Sequence, residues 1–300
     1  MSAPVLSIVI AVQGAQANLA ETLGALTCDR ADEVEILICH AADDPLPDPL
    51  PARPDLRVIT GAAGALIPEM WRDGILAAGG DWVATLTLHC PPRADWLDRA
   101  LVAIRTDAGA EHAGFGGAIL CDPAQDRTTH AIQCLRYSDA GAGPARGLVA
   151  DISADNALYR RAPILACADL LPDGFWEPEY HRRFAREGMV LEHIPDLVVT
   201  HRNRYSIGGF ARQRRRHGRV FGRHRGEAAA PGMRVIMVAA SPAAFLVFAA
   251  KQTRKILSRP ALRAGFASCA PLFYLFMLNW CLGEAVGYVD ALRGRRETAE

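Results

Sequence analysis

The chain has 300 residues, half of them hydrophobic, and its 33 basic and 33 acidic side chains cancel to no net charge. That balance excludes a general polyanion binder, and no nucleic-acid partner is expected; the length allows one large α/β domain, or a domain of about 220 residues with an appendage. Eight cysteines (28, 39, 90, 121, 134, 167, 269, 281) form no C-x-x-C pair and no zinc-like spacing, and several sit in apolar runs, as reduced cysteines do in a reducing compartment.

The N-terminal MSAPVLSIVIAVQ lacks a basic n-region and its apolar run is strand-sized, so a signal peptide is not expected. SIVIAV (7–12), EVEILICH (33–40), DLRVIT (55–60) and DWVATLTL (81–88) read as strands. Helix-like stretches follow the first, third and fourth: AQANLAETLGALT, PEMWRDGILAAGG and ADWLDRALVAIRT. Strands apolar on both faces, alternating with helices, predict an α/β fold with a mostly parallel sheet wrapped by helices. AGFGGAIL (113–120) adds a strand, and 121–150, with few aliphatics, reads as a long irregular connection. Then come DNALYRRAPILA, FWEPEYHRRFAREG, MVLEHIPDLVVTH and an arginine-rich helix near 207–224.

Beyond it the composition changes. VIMVAASPAAFLVFAA (235–250) and ASCAPLFYLFMLNWCLGEAVGYV (267–289) are almost uncharged. They predict a C-terminal apolar helical hairpin that contacts a membrane, the rival being a buried helical subdomain or dimer interface. The domain boundary is set at 225, giving 1–225 and 226–300. Lys251, Arg254, Lys255, Arg259 and Arg263 lie between the two blocks, and the preceding helix is also basic. A crossing first block would force one basic region outside, so an interfacial or re-entrant hairpin is expected, with the first domain on the cytoplasmic face of the inner or plasma membrane.

Ligands of an open parallel sheet bind beyond the carboxyl ends of its strands. Here those ends offer Ala11 to Gln13, His40, Thr60-Gly61 and Thr87-Leu88-His89. No G-x-G-x-x-G follows the first strand and no P-loop motif occurs, which disfavours dinucleotide and P-loop chemistry.

The order of segments resembles a family 2 glycosyltransferase of GT-A fold over residues 5–225. SIVIAVQG matches its opening strand and VEILICHAAD its nucleoside-contacting strand. GGDWVATLTLHCPPRADWL matches the strand that usually ends in Asp-x-Asp, and FWEPEYHRRF the acidic motif bearing the catalytic base. The resemblance implies a nucleotide-sugar site containing Ala11, Gln13, His40, Arg72, Asp73, Thr87 and His89. In place of Asp-x-Asp stands Thr87-Leu88-His89, and His40 stands where the family commonly has an aspartate. Thr and His make a poor Mg²⁺ site and need added ligands for Mn²⁺, so the cofactor expected is Mn²⁺ or Mg²⁺ held by His89 and His201, or no ion at all.

Without an ion, a departing diphosphate still needs positive charge. Arg72 and His201 are candidates, as are Arg212, Arg215, Arg216 and Arg219, which share one helix face by their three-and-four spacing. The same face suits anionic lipid headgroups, and both readings stay open. Glu177 and Glu179 are the candidates for general base in an inverting transfer, with Glu177 preferred from the motif. The function expected is transfer of a sugar from a nucleotide-sugar donor to a membrane- or envelope-linked glycan or lipid acceptor. The alternative is a catalytically degenerate glycosyltransferase-like scaffold.

Overall fold

The computed structural model describes residues 4–27, 33–107, 112–122, 124, 126–141, 145–203 and 205–294; Cys28 and Arg204 lie outside them. The chain forms two compact units, one from residues 1–123 and 139–204, the other from 124–138 and 205–300.

The first unit is built on an eight-stranded sheet. Its strands are β1 (Leu6–Val12), β2 (Val34–Ala41), β3 (Leu56–Gly61), β4 (Trp82–Thr87), β5 (His112–Cys121), β6 (Gly147–Val149), β7 (Asn156–Arg160) and β8 (Val190–His201). They run in the order β3-β2-β1-β4-β7-β5-β8-β6. β7 is antiparallel to β4 and β5, and β6 to β8; the other pairs are parallel. Helices α1 (Leu19–Ala25), α2 (Ile67–Ala77), α3 (Trp96–Thr106), α5 (Arg161–Ala166) and α6 (Glu177–Arg186) belong to this unit, and α4 (Arg127–Arg136) to the other. This is the mostly parallel, helix-wrapped α/β fold that the continuous β-branched runs predict.

β1 is buried at all seven positions because both faces of the sheet are covered. Alternation along the strands then sorts the side chains. Val9, Val83, Ala157 and Tyr159 share one core with Trp71 of α2 and Tyr180 and Phe184 of α6. Asn156 points to the opposite face, where the Trp96 indole N–H of α3 donates to its Oδ1 at 2.8 Å. Its amide nitrogen donates to the carbonyls of Ala118 (3.0 Å) and Leu197 (2.8 Å), joining β7 to β5 and β8. Trp71, Trp82 and Trp96 are buried core residues.

The expected irregular connection over 121–150 contains α4 and β6 instead. Asp126 caps α4 by accepting the Thr129 N–H at 2.9 Å. The helix carries few aliphatics because it buries small and polar side chains, among them Thr128, Thr129, Ala131 and Cys134, and it packs within the second unit on α9 (Pro260–Arg293).

The second unit also holds α7 (Ile207–Glu227) and α8 (Pro231–Leu257). The basic helix α7, which composition joins to the first domain, therefore groups with the apolar hairpin. Two residues, Ser258 and Arg259, separate α8 from α9. Both helices are long and apolar enough to cross a membrane; none of the most apolar stretch of α8 is buried, against 28% of that of α9.

Candidate active site

The carboxyl ends of β1, β2 and β3 are tied together by a pair of carboxylates just past β2. Gly14 and Ala15 turn away from β1 with φ of 66° and 61°, a left-handed conformation that exposes backbone N–H groups. Asp44 takes two donors from this turn, Gly14 N–H at 2.8 Å and the Gln16 amide at 2.5 Å. Asp43 accepts Gly64 N–H, after β3, at 2.6 Å. The His40 Nδ1 lies 3.1 Å from the Asp44 carbonyl oxygen and so carries the hydrogen; its Nε2 accepts the Thr60 hydroxyl at 2.9 Å. His40 is thus a cross-strand link. The sequence reading overlooked Asp43 and Asp44, although two adjacent carboxylates directly after a buried strand were a visible signal.

Ala11 is fully buried in β1, in register with Cys39 and Thr87. Arg72 and Asp73 pair with each other at 2.8 Å, and Arg72 also donates to the Pro172 carbonyl at 3.0 Å. Asp73 reaches the end of β3, since a Cβ on Gly61 would lie 3.4 Å from its Oδ2. Burial, and secondarily the charge of Asp73, push the Cys39 thiol up to about 12, so it stays a neutral core thiol.

At the end of β4, Thr87 donates its hydroxyl to Asp155 at 2.9 Å, and both residues are buried. A carboxylate therefore stands at the corner where Thr87-Leu88-His89 replaces the resembled family's Asp-x-Asp, brought by the segment leading into the antiparallel β7. His89 donates from Nε2 to the Gln13 carbonyl at 3.0 Å. His201 ends β8, and Arg202 N–H donates to the His89 carbonyl at 2.8 Å, so the backbones bearing the two histidines are adjacent. The Arg202 side chain is held by Asp122 at 2.9 Å and by Glu21.

The donor set does not fit a divalent-cation site. Among the described residues no group of three or more His, Cys, Asp or Glu side chains is placed to hold a metal ion. Asp155 accepts the Thr87 hydroxyl on Oδ1 and the Ser153 hydroxyl, at 3.4 Å, on Oδ2, and the His89 Nε2 is engaged by a carbonyl that fixes it as a donor.

Glu177 and Glu179 occupy the first turn of α6, both half-buried, with Pro178 starting the helix between them. The loop before α6 is anchored on α2. Gly174 (φ 99°) passes against the Pro68 backbone, and Phe175 N–H donates to the Pro68 carbonyl at 2.7 Å. Glu179 faces Arg182 at 3.9 Å. Glu177 lies by Tyr159 of β7, whose hydroxyl is raised far above its usual range by burial first and then by the charges of Glu177, Asp151 and Asp155. One face of the sheet therefore gathers Thr87, Asp155, Tyr159 and Glu177.

Arg212, Arg215, Arg216 and Arg219 are exposed on α7, and Arg219 pairs with Asp290 of α9 at 2.6 Å. They belong to the second unit.

No protein-family profile and no curated protein matches the chain. Solved structures do. Residues 1–349 of TarS from S. aureus, in complex with UDP-GlcNAc, are similar at 10% identity, over 97% of this chain and 92% of that one, with a TM-score of 0.50. The chain has a glycosyltransferase fold. A mannosyltransferase from Pyrobaculum calidifontis, in complex with GDP-mannose and Mn²⁺, matches over 99% of this chain and 77% of that one, at 14% identity and a TM-score of 0.48.

Proposed function

We propose that the chain is an inverting, family 2-type glycosyltransferase that moves a hexosyl group from a nucleotide-sugar donor to a membrane- or envelope-linked glycan or lipid acceptor. The observation that carries this reading is the placement of Glu177 at the start of α6, on the sheet face that bears the Thr87–Asp155 corner. The donor lies across the carboxyl ends of β1 to β4, its nucleoside against the loops held by His40, Asp43 and Asp44. Glu177 takes the proton from the acceptor hydroxyl as that oxygen attacks the anomeric carbon opposite the departing nucleoside diphosphate. Because the donor set does not suit an ion, His201 and Arg72 are assigned to the developing diphosphate charge.

The arginines of α7 are assigned to anionic headgroups. Their exposure, and the packing of α7 on α9 within the unit that carries the apolar hairpin, support this. The enzyme then works at the cytoplasmic face of the inner or plasma membrane, and cleavage of residues 251–263 by a protease confined to the opposite side would overturn that orientation.

The chemical test combines binding with turnover. UDP-, GDP- and TDP-sugars are screened by thermal shift, with Mn²⁺ and with chelator. One of them should stabilise the protein in chelator. Glu177→Gln should keep that shift while transfer falls by about 10²–10⁴-fold, the range of a lost general base. Full activity in both Glu177→Gln and Glu179→Gln would remove the mechanism. The hydrogen bond that already engages Thr87 and Asp155 favours a second reading, a nucleotide-free scaffold; it predicts no shift with any donor.

A further inference from the structure

Beneath Glu177 runs a chain of hydrogen bonds that the transfer mechanism does not use. Tyr159 is fully buried in β7, and its hydroxyl lies 3.0 Å from the Nε2 of His181 on α6. The two rings stack at 5.9 Å. His181 Nδ1 lies 3.0 Å from Asp151 Oδ1, and the Asp151 side chain is 69% exposed. The neutral tautomer satisfies both contacts: Nδ1–H donates to the carboxylate, and Nε2 accepts the Tyr159 O–H. His181 follows Glu177 by four residues, one helical turn along the same side of α6.

Asp151 also begins a short strap that ends at the sheet corner. Ile152 covers Gly116 of β5, where a Cβ would collide with its side chain. Ser153 accepts Asn156 N–H through its carbonyl at 2.9 Å, closing a turn. Asp155 then accepts the Thr87 hydroxyl. Five residues thus connect the helix that carries Glu177 to the end of β4. A strap held at both ends by buried or half-buried polar contacts fixes the separation between those two points, and positioning of that kind governs rate more than affinity.

We propose that Tyr159, His181 and Asp151 form one brace that positions Glu177 for proton abstraction and holds the strap 151–155 across the end of β4. The proposal rests on Glu177 being the base. His181 and Tyr159 are positioning residues, acting through Glu177 and Asp155. The charged groups facing the brace are Asp151 and Arg182 at His181, and Glu177, Asp151 and Asp155 at Tyr159.

The test uses the full chain in detergent, with Tyr159→Phe, His181→Phe and His181→Gln, read by amide hydrogen exchange and by turnover of whichever nucleotide sugar stabilises the wild type. Tyr159→Phe and His181→Phe should each speed exchange in 151–155 and in the first turn of α6, leaving β1 and β2 unchanged. Each should lower kcat about tenfold or more while the donor KM holds. The double variant should be no worse than His181→Phe, because the groups act as a unit. His181→Gln, which can still accept and donate, should recover part of the loss. Unchanged exchange in the strap, kcat losses that multiply, or a glutamine variant as impaired as the phenylalanine one would overturn the brace. A wild type silent with every donor counts against the glycosyltransferase reading alone, since the exchange arm still decides the brace. If His181→Phe does not fold, Tyr159→Phe, which deletes a single oxygen, carries the same comparison.

Discussion

Thr87 and Asp155 are 1% exposed, so the hydrogen bond between them at 2.9 Å takes the place of solvation for a carboxylate that water hardly reaches. Replacing Thr87 by Val preserves shape and removes one of the donors to the buried Asp155, which keeps the Ser153 hydroxyl at 3.4 Å. We expect a loss of about 1–3 kcal/mol in stability, the cost of stranding a buried polar group. Thr87→Ser should lose less than Thr87→Val, because the hydroxyl remains. Urea unfolding of the three proteins measures the difference, and equal midpoints for Val and wild type would show that the bond contributes nothing. The pair also marks how far the site could be read from sequence. Glu177 enters through the resemblance to the acidic motif, and the structure puts it in the first turn of α6. Asp155 was not legible, since it lies 68 residues from Thr87 and only the antiparallel entry of β7 beside β4 brings them together. Tyr159 and His181 were hidden for the same reason: their roles arise from contact between a strand and a helix that a linear pattern does not encode.

At the level of elements, the parallel strands β1, β2 and β4 were legible because burial on both faces demands near-continuous apolar runs, whereas α4 was not, because it buries threonines and small residues against α9. In α7 the arginines drew attention and the glycines between them did not. Gly218, Gly222 and Gly226 recur every fourth residue, and Gly283 and Gly287 recur likewise in α9. A Cβ at Gly218 would land on the Trp280 carbonyl oxygen, at Gly222 on that of Glu284, and at Gly283 on that of Arg215. The two backbones thus touch along a stripe of hydrogen side chains, a packing mode common between apolar helices. Arg225–Glu284 at 2.7 Å and Arg219–Asp290 at 2.6 Å flank the seam. Gly283→Ala must push backbone against backbone, and overpacking of this kind costs about 1–3 kcal/mol. Gly265→Ala, in the same helix with no heavy atom within 4 Å of the new methyl, should instead gain up to about 1 kcal/mol from helix propensity. Melting of the two variants in detergent separates them, and similar behaviour would show that the close approach does not limit stability.

At the scale of the whole molecule, both units carry buried histidines whose protonation is disfavoured. In the first unit burial holds His181 below its usual 6.5, against the opposing pull of Asp151, and it lowers His193 as well. In the second, burial lowers His217 much further, helped by Arg214, Arg136 and Arg216. In each case the unfolded chain binds a proton at a pH where the folded chain does not. Stability should therefore be full above the unfolded value of about 6.5 and decline as the pH falls through it toward each lowered folded value. The slope is about 1.4 kcal/mol per pH unit for each histidine once its unfolded form is protonated. Asp95, drawn down to about 2 by hydrogen bonds from Arg93 and Arg99, titrates at far lower pH and leaves this window to the histidines. Melting temperatures measured from pH 7.5 to 5 at constant ionic strength should fall, and His217→Gln should flatten part of that fall by removing the proton that only the unfolded chain takes up. A residual slope in that variant belongs to the first unit, to His193 and to His181, which closes the brace on Tyr159; the same acid range should then speed hydrogen exchange in 151–155 of the wild type, because a protonated Nε2 no longer accepts the Tyr159 hydroxyl. A melting temperature flat down to pH 5 would mean that these rings find solvent on protonation, and that burial does not hold them neutral.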